Sequence, residues 1–112
     1  MKEPRFLTSR AQYTSVYRQG KAWSNDLLVM KAMPNGLGLS RYGLSVTKKV
    51  GKAVQRNRLK RLLKEIMRLQ SLRLGWDIVF IARSTAVNSS YHQLETAVAR
   101  LLGRAQLSES KE

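Results

Sequence analysis

The sequence predicts an α+β sandwich, with helices packed on a small sheet. Three observations predict it. Tyr42, Leu44 and Val46 alternate with Gly43, Ser45 and Thr47, the two-residue period of a strand with one buried face. Leu59, Leu62, Leu63, Ile66 and Leu69 recur at the 3.6-residue period of a helix, and so do Leu94, Val98, Leu101 and Leu102. Between these helices, Ile78 to Ala82 is unbroken apolar, the pattern of a strand covered on both faces.

The elements follow in order. A first helix is expected over about Arg10 to Arg18. Ser9 and Gln12 have capping-box spacing, Tyr13, Val16 and Tyr17 share a face, and Gly20 is a stop. Trp23 to Met33 reads as extended, with an apolar run from Leu27 to Met30. Pro34-Asn35-Gly36, followed by Gly38, is a turn or loop that leads to the alternating strand. Lys48, Lys49 and Gly51 then introduce a basic helix over about Lys52 to Leu69. Gly75-Trp76-Asp77 ends the next connection, before the buried strand. A last helix is expected over about Tyr91 to Ala105, with Ser90 and Gln93 at its cap. Trp23 and Trp76 read as structural, and Met30 and Met33 as core or cleft packing. At 112 residues the chain suits one domain, expected over residues 1–106, with a polar tail from Leu107 to Glu112 expected to fray.

Charge narrows the function. The formal net charge is +14, a field that favours polyanions. Between Leu27 and Lys64 there is no acidic residue, while Lys31, Arg41, Lys48, Lys49, Lys52, Arg56, Arg58, Lys60, Arg61 and Lys64 are basic. On the basic helix, Asn57, Lys60, Arg61, Lys64 and Arg68 lie opposite the leucine stripe, and Arg56 and Arg58 flank it. Cations crowd the N-terminal end of that helix, against its dipole, and no Ser, Thr, Asp or Asn immediately precedes Lys52 as a cap. An RNA or DNA phosphate would resolve both conflicts, accepting the free N–H groups and pairing with the cations. The bland alternative is a solvated charged face. The lack of neutralising acids, apart from an Arg61–Glu65 pair at i,i+4 spacing, argues against it. Arginine forks and Asn57 suit a structured RNA, where phosphates and 2′-hydroxyls are read together.

The run from Lys48 to Glu65, KKVGKAVQRNRLKRLLKE, closely resembles the signature of the bacterial ribonuclease P protein component. Gly43-Leu44-Ser45-Val46, the segment from Asp77 to Arg83, and Tyr13, Val16, Tyr17 and Gly20 fit the same family in order and spacing, so the resemblance spans about residues 5–105. It implies an α-β-β-β-α-β-α sandwich with a left-handed strand–helix–strand crossover, against the usual hand. It implies a protein subunit that joins a catalytic RNA and helps remove the 5′ leader of precursor tRNA, with Mg²⁺ held mainly by the RNA. Lys48, Lys49, Lys52, Arg56, Asn57, Arg58, Lys60, Arg61 and Lys64 would then dock on the catalytic RNA. Tyr13, Tyr17, Lys31, Ser45 and Thr47 would line a leader cleft. Without the resemblance, Tyr13 and Tyr17 read as packing between helix and sheet. The family more often has Phe at these two positions, and an aromatic residue where Lys31 stands.

The residues themselves speak against a protein active site. His92 is the one histidine and reads as a surface residue near the start of the last helix. Asp26, Glu65 and Asp77 are scattered, without the spacing of a metal pair or an acid–base pair. There is no cysteine, no apolar run long enough to span a membrane, and no signal peptide ahead of the domain, so a cytoplasmic protein is expected. One protein per RNA is expected, with no membrane partner. A ribosomal or rRNA-assembly protein shares the size and charge but needs no such signature. A helix-turn-helix regulator would carry a second helix next to the basic one, where this chain has strands.

Overall fold

The computed structural model describes residues 5–109. In chain order they form β1 (Arg5–Phe6), α1 (Arg10–Gln19), β2 (Lys21–Ser24), β3 (Leu28–Pro34), β4 (Arg41–Ser45), α2 (Ala53–Arg68), β5 (Trp76–Ala82), a short 3₁₀ turn (Ser84–Ala86) and α3 (Tyr91–Arg104). The strands make one sheet in the order β1-β4-β5-β3-β2. β1, β4 and β5 run parallel, and β3 is antiparallel to both β5 and β2. α2 therefore links two parallel neighbours, β4 and β5, and is the crossover of the expected sandwich.

The pleat sorts side chains to two faces. Met30, Ala32, Tyr42, Ile78 and Phe80 join Leu59, Leu63, Ile66, Leu94, Val98 and Leu101 in the main core, under α2 and α3. Val79, with half-buried Met33 and Ile81, packs with Val16, Leu7 and Tyr13 on the other face, under α1. Both capping boxes form: Ser9 Oγ accepts from Gln12 N at 3.2 Å, and Ser90 Oγ from Gln93 N at 3.1 Å. Asp77 fastens the start of β5. Its carboxylate accepts from Arg41 Nε at 2.9 Å, Arg41 Nη2 at 2.6 Å and Asn35 Nδ2 at 2.8 Å.

Five expectations change. The extended stretch from Trp23 to Met33 is two strands, because Asn25 Oδ1 accepts from the N–H groups of Leu27 and Leu28 at 3.1 and 2.9 Å and turns the chain. Arg5–Phe6 adds a strand too short to show a period. Leu69 is 58% exposed and Met67 fully buried, since the helical period carries the stripe from Leu59 through Leu63 and Ile66 to Met67 and leaves Leu69 off it. Glu65 pairs with Arg68 rather than Arg61, at 2.6 Å, because the Arg68 fork reaches both carboxylate oxygens from one turn away. That hydrogen bond holds the Glu65 carboxyl below its ordinary pKa. The chain also stays packed beyond residue 106: Leu107 is 1% exposed, its N–H bonds Leu102 O at 2.9 Å, and Glu109 N bonds Ser71 O at 2.8 Å. Residues 1–4 and 110–112, with the rest of the expected tail, lie outside the described residues.

Candidate nucleic-acid interface

α2 projects the basic surface. Leu59, Leu63, Ile66 and Met67 are fully buried, each contributing about 1.5–3 kcal/mol of apolar burial. A cation set against the helix dipole costs about 0.3–1 kcal/mol. The core face therefore holds the helix in spite of the charge at its N-terminus. Lys52 is the N-cap residue, and an ammonium has no lone pair with which to cap. Only the reciprocal half of a capping box forms: Gln55 Oε1 accepts from Lys52 N at 2.8 Å. A Cβ at Gly51 would strike that Gln55 amide and displace it from its bond with Lys52 N.

Around this end, Lys48 and Lys49 sit on an exposed turn closed by Val50 N to Thr47 O at 3.0 Å. Lys52, Asn57, Arg61 and Lys64 are exposed, and Arg56, Arg58 and Lys60 are half-buried. Two of the arginines have internal duties. Arg56 Nε donates to Gly51 O at 3.2 Å, and Arg58 Nη2 donates to Ser89 O at 2.7 Å, tying α2 to the segment that starts α3.

The opposite face of the sheet, beside α1, carries the second set of residues. The Tyr13 ring lies directly over Gly43, where a Cβ would fall 2.5 Å from its hydroxyl oxygen. The Tyr13 and Tyr17 rings are 6.4 Å apart and tilted by 45°. Lys31 Nζ donates to Tyr17 O at 3.1 Å and stands 5.9 Å from the centroid of the Tyr17 ring. Register sets its rows: Gly43, Val79 and Lys31 align across β4, β5 and β3, and the next row is Ser45, Ile81 and Val29. Val29, Lys31, Ser45 and Ile81 are half-buried, and Tyr17 and Thr47 are exposed.

A sequence profile of the family described as Ribonuclease P matches residues 1–106. The chain belongs to the ribonuclease P protein family. It is 50% identical over 107 residues to the ribonuclease P protein component of Dehalococcoides mccartyi, covering 96% of this chain and 89% of that one. It is 44% identical over 108 residues to the corresponding protein of Caldanaerobacter subterraneus, covering 95% and 93%. The fold matches the RNase P protein of Staphylococcus aureus with a TM-score of 0.85 and 29% identity, over 96% of this chain and all of that one. The Thermotoga maritima RNase P protein matches with a TM-score of 0.81 and 31% identity, over 89% and 96%.

For a ribonuclease P protein, the residues singled out in the sequence fall into two groups. Lys48, Lys49 and Lys52 lead into α2, and its named residues from Arg56 to Lys64 follow along the helix. Tyr13, Tyr17, Lys31 and Ser45 gather under α1, with Thr47 just past the end of β4, between the groups. Lys31 takes its position as a cation over Tyr17 rather than as a third ring. Val29 and Ile81, on the same face of the sheet, were hidden because a half-buried strand residue looks like core in sequence. Val54, 81% exposed in the first turn of α2, carried no signal beyond being apolar off the stripe. His92 is exposed, with its side chain 86% accessible, as expected.

Proposed function

We propose that this chain is the RNA-binding protein component of ribonuclease P and acts without a protein active site. The α2 surface docks on the catalytic RNA. The α1 cleft holds the single-stranded 5′ leader of precursor tRNA. One observation carries the division of labour: the cation-rich helix end and the aromatic cleft lie on opposite faces of the same strands. A folded RNA and an unpaired strand can thus be held at once. Phosphates suit the uncapped helix end. Unstacked bases suit the Tyr13 and Tyr17 rings, and the floor of Val29 and Ile81 adds apolar area.

The chemistry then belongs to the RNA, with its Mg²⁺. The carboxylates support this. Asp77 accepts three hydrogen bonds from Arg41 and Asn35, and Glu65 is paired with Arg68, so neither is free to hold a metal. No helix among the described residues is long and apolar enough to cross a membrane. A cytoplasmic complex with one protein per RNA goes with this reading.

Reconstitution tests it. The purified protein alone should leave precursor tRNA intact. Added to a bacterial ribonuclease P RNA, it should give mature 5′ ends at lower Mg²⁺ than the RNA requires alone. Robust cleavage by RNA-free protein would defeat the non-catalytic reading. A second measurement addresses the cleft. Tyr17→Ala should weaken binding of leader-bearing precursor by about 1–3 kcal/mol and leave binding of mature tRNA unchanged. An equal loss for both ligands would remove Tyr17 from the leader site.

A further inference from the structure

Between the docking helix and the leader cleft lies a groove of about 260 Å³, lined by Phe6, Leu7, Tyr13, Leu44, Lys60 and Lys64. It opens where β1 stops, since β1 pairs with β4 only at Arg41 and Tyr42. Phe6 is 45% exposed, although its ring sits 4.7 Å from the buried ring of Tyr42. Lys64 Nζ stands 5.4 Å from the centroid of the Phe6 ring. Lys60 and Lys64 are one helical turn apart and so occupy the same side of α2. An open aromatic surface beside two cations matches a base joined to a phosphate.

We propose that this groove takes one unpaired nucleotide of the leader, its base on Phe6 and its phosphate between Lys60 and Lys64. The proposal rests on the reading of the α1 cleft as the leader site. Two features favour the leader over the catalytic RNA. Tyr13 forms a wall of both the groove and the cleft, so a strand can continue from one into the other. A single strand also offers unstacked bases, whereas a docked folded RNA keeps most of its bases stacked. An apolar side chain from a protein partner would fit Phe6 but gain nothing from the two lysines.

The test uses the full-length protein reconstituted with ribonuclease P RNA. Affinity is measured for a leader-bearing precursor, for mature tRNA, and for precursors with an abasic residue moved along the leader. Phe6→Ala should weaken leader-bearing precursor roughly fivefold to 150-fold and leave mature tRNA unchanged. One abasic position should cause a similar loss, and Phe6→Ala should add nothing further at that position. Phe6→Leu keeps an apolar cover on Tyr42 without a ring, so it should fold like the parent and still lose leader affinity. If Phe6→Leu binds leader as well as the parent while Tyr17→Ala does not, the groove proposal fails and the cleft reading stands. If neither variant changes leader binding, both fall together. A loss that is equal for mature tRNA, or that appears as weaker binding of the catalytic RNA, would also refute the groove as a leader subsite.

Discussion

Asp77→Ala should destabilise the protein by about 1.5–3 kcal/mol, the cost of removing a buried carboxylate from its charge-assisted hydrogen bonds. Asp77 is 5% exposed and receives three hydrogen bonds. Truncation strands the Arg41 guanidinium, whose side chain is only 21% exposed, and leaves the Asn35 amide without that acceptor. Urea unfolding should show a lower midpoint with an unchanged slope. Asp77→Asn should be milder but still destabilising, since its amide nitrogen must face a donor on Arg41 or Asn35. The double variant Arg41→Ala/Asp77→Ala should cost less than the sum of the two single changes, because no charge is then left buried. The hydrogen bond to Asp77 raises the Arg41 pKa above its ordinary value. The Arg41 contribution is therefore complete below the ordinary arginine range and is lost only as the pH rises through the raised value. A parent-like midpoint for Asp77→Ala would show that the network does not hold β4 against β5. That matters for function, because β4 presents Gly43 and Ser45 to the cleft and leads into the Thr47–Lys49 turn.

The elements legible in the sequence are those whose cause is local. Ser9 with Gln12 and Ser90 with Gln93 announce α1 and α3, because a capping box is satisfied within four residues. The leucines of α2 and α3 and the apolar run of β5 are legible because one element repeats one environment. What was hidden depends on partners far along the chain. Asn25 breaks the extended stretch by turning its amide oxygen back on Leu27 and Leu28 and its amide nitrogen onto Ala97 O at 3.1 Å. β1 exists only because Tyr42 and its neighbours offer an edge. Leu107 is held by Leu102 and by Arg73 N, which bonds its carbonyl at 2.8 Å.

The candidate site divides the same way. Charge and the Arg56-Asn57-Arg58 signature mark the basic helix from sequence alone. The cleft needs the fold, since only the register of β3, β5 and β4 brings Lys31 level with Gly43. The open position at Gly43 is what lets the Tyr13 ring lie against the sheet. Sequence also overstated the freedom of the arginines. The bonds from Arg56 to Gly51 and from Arg58 to Ser89 take up part of two forks assigned wholly to RNA.

Affinity for the catalytic RNA should fall about 10³-fold or more between about 50 and about 200 mM monovalent salt, if six or more phosphates are neutralised. The exposed Lys48, Lys49, Lys52 and Arg61 supply most of these contacts, and the half-buried Arg56 and Arg58 the rest. The logarithmic salt slope separates cations that meet phosphate from cations that hold the fold. Arg61→Ala should lower the slope by about 1 and leave the unfolding midpoint unchanged. Arg58→Ala should lower the slope similarly, yet also destabilise the protein by about 1–3 kcal/mol, because the buried Ser89 carbonyl loses that donor. Arg58→Lys restores the charge without the fork. It should recover most of the slope but not all of the affinity, since an ammonium cannot serve a backbone carbonyl and a phosphate with one planar group. An unchanged slope for Arg58→Ala would make Arg58 a tie between α2 and α3 alone. The docking surface would then shift to the exposed Asn57 and Arg61.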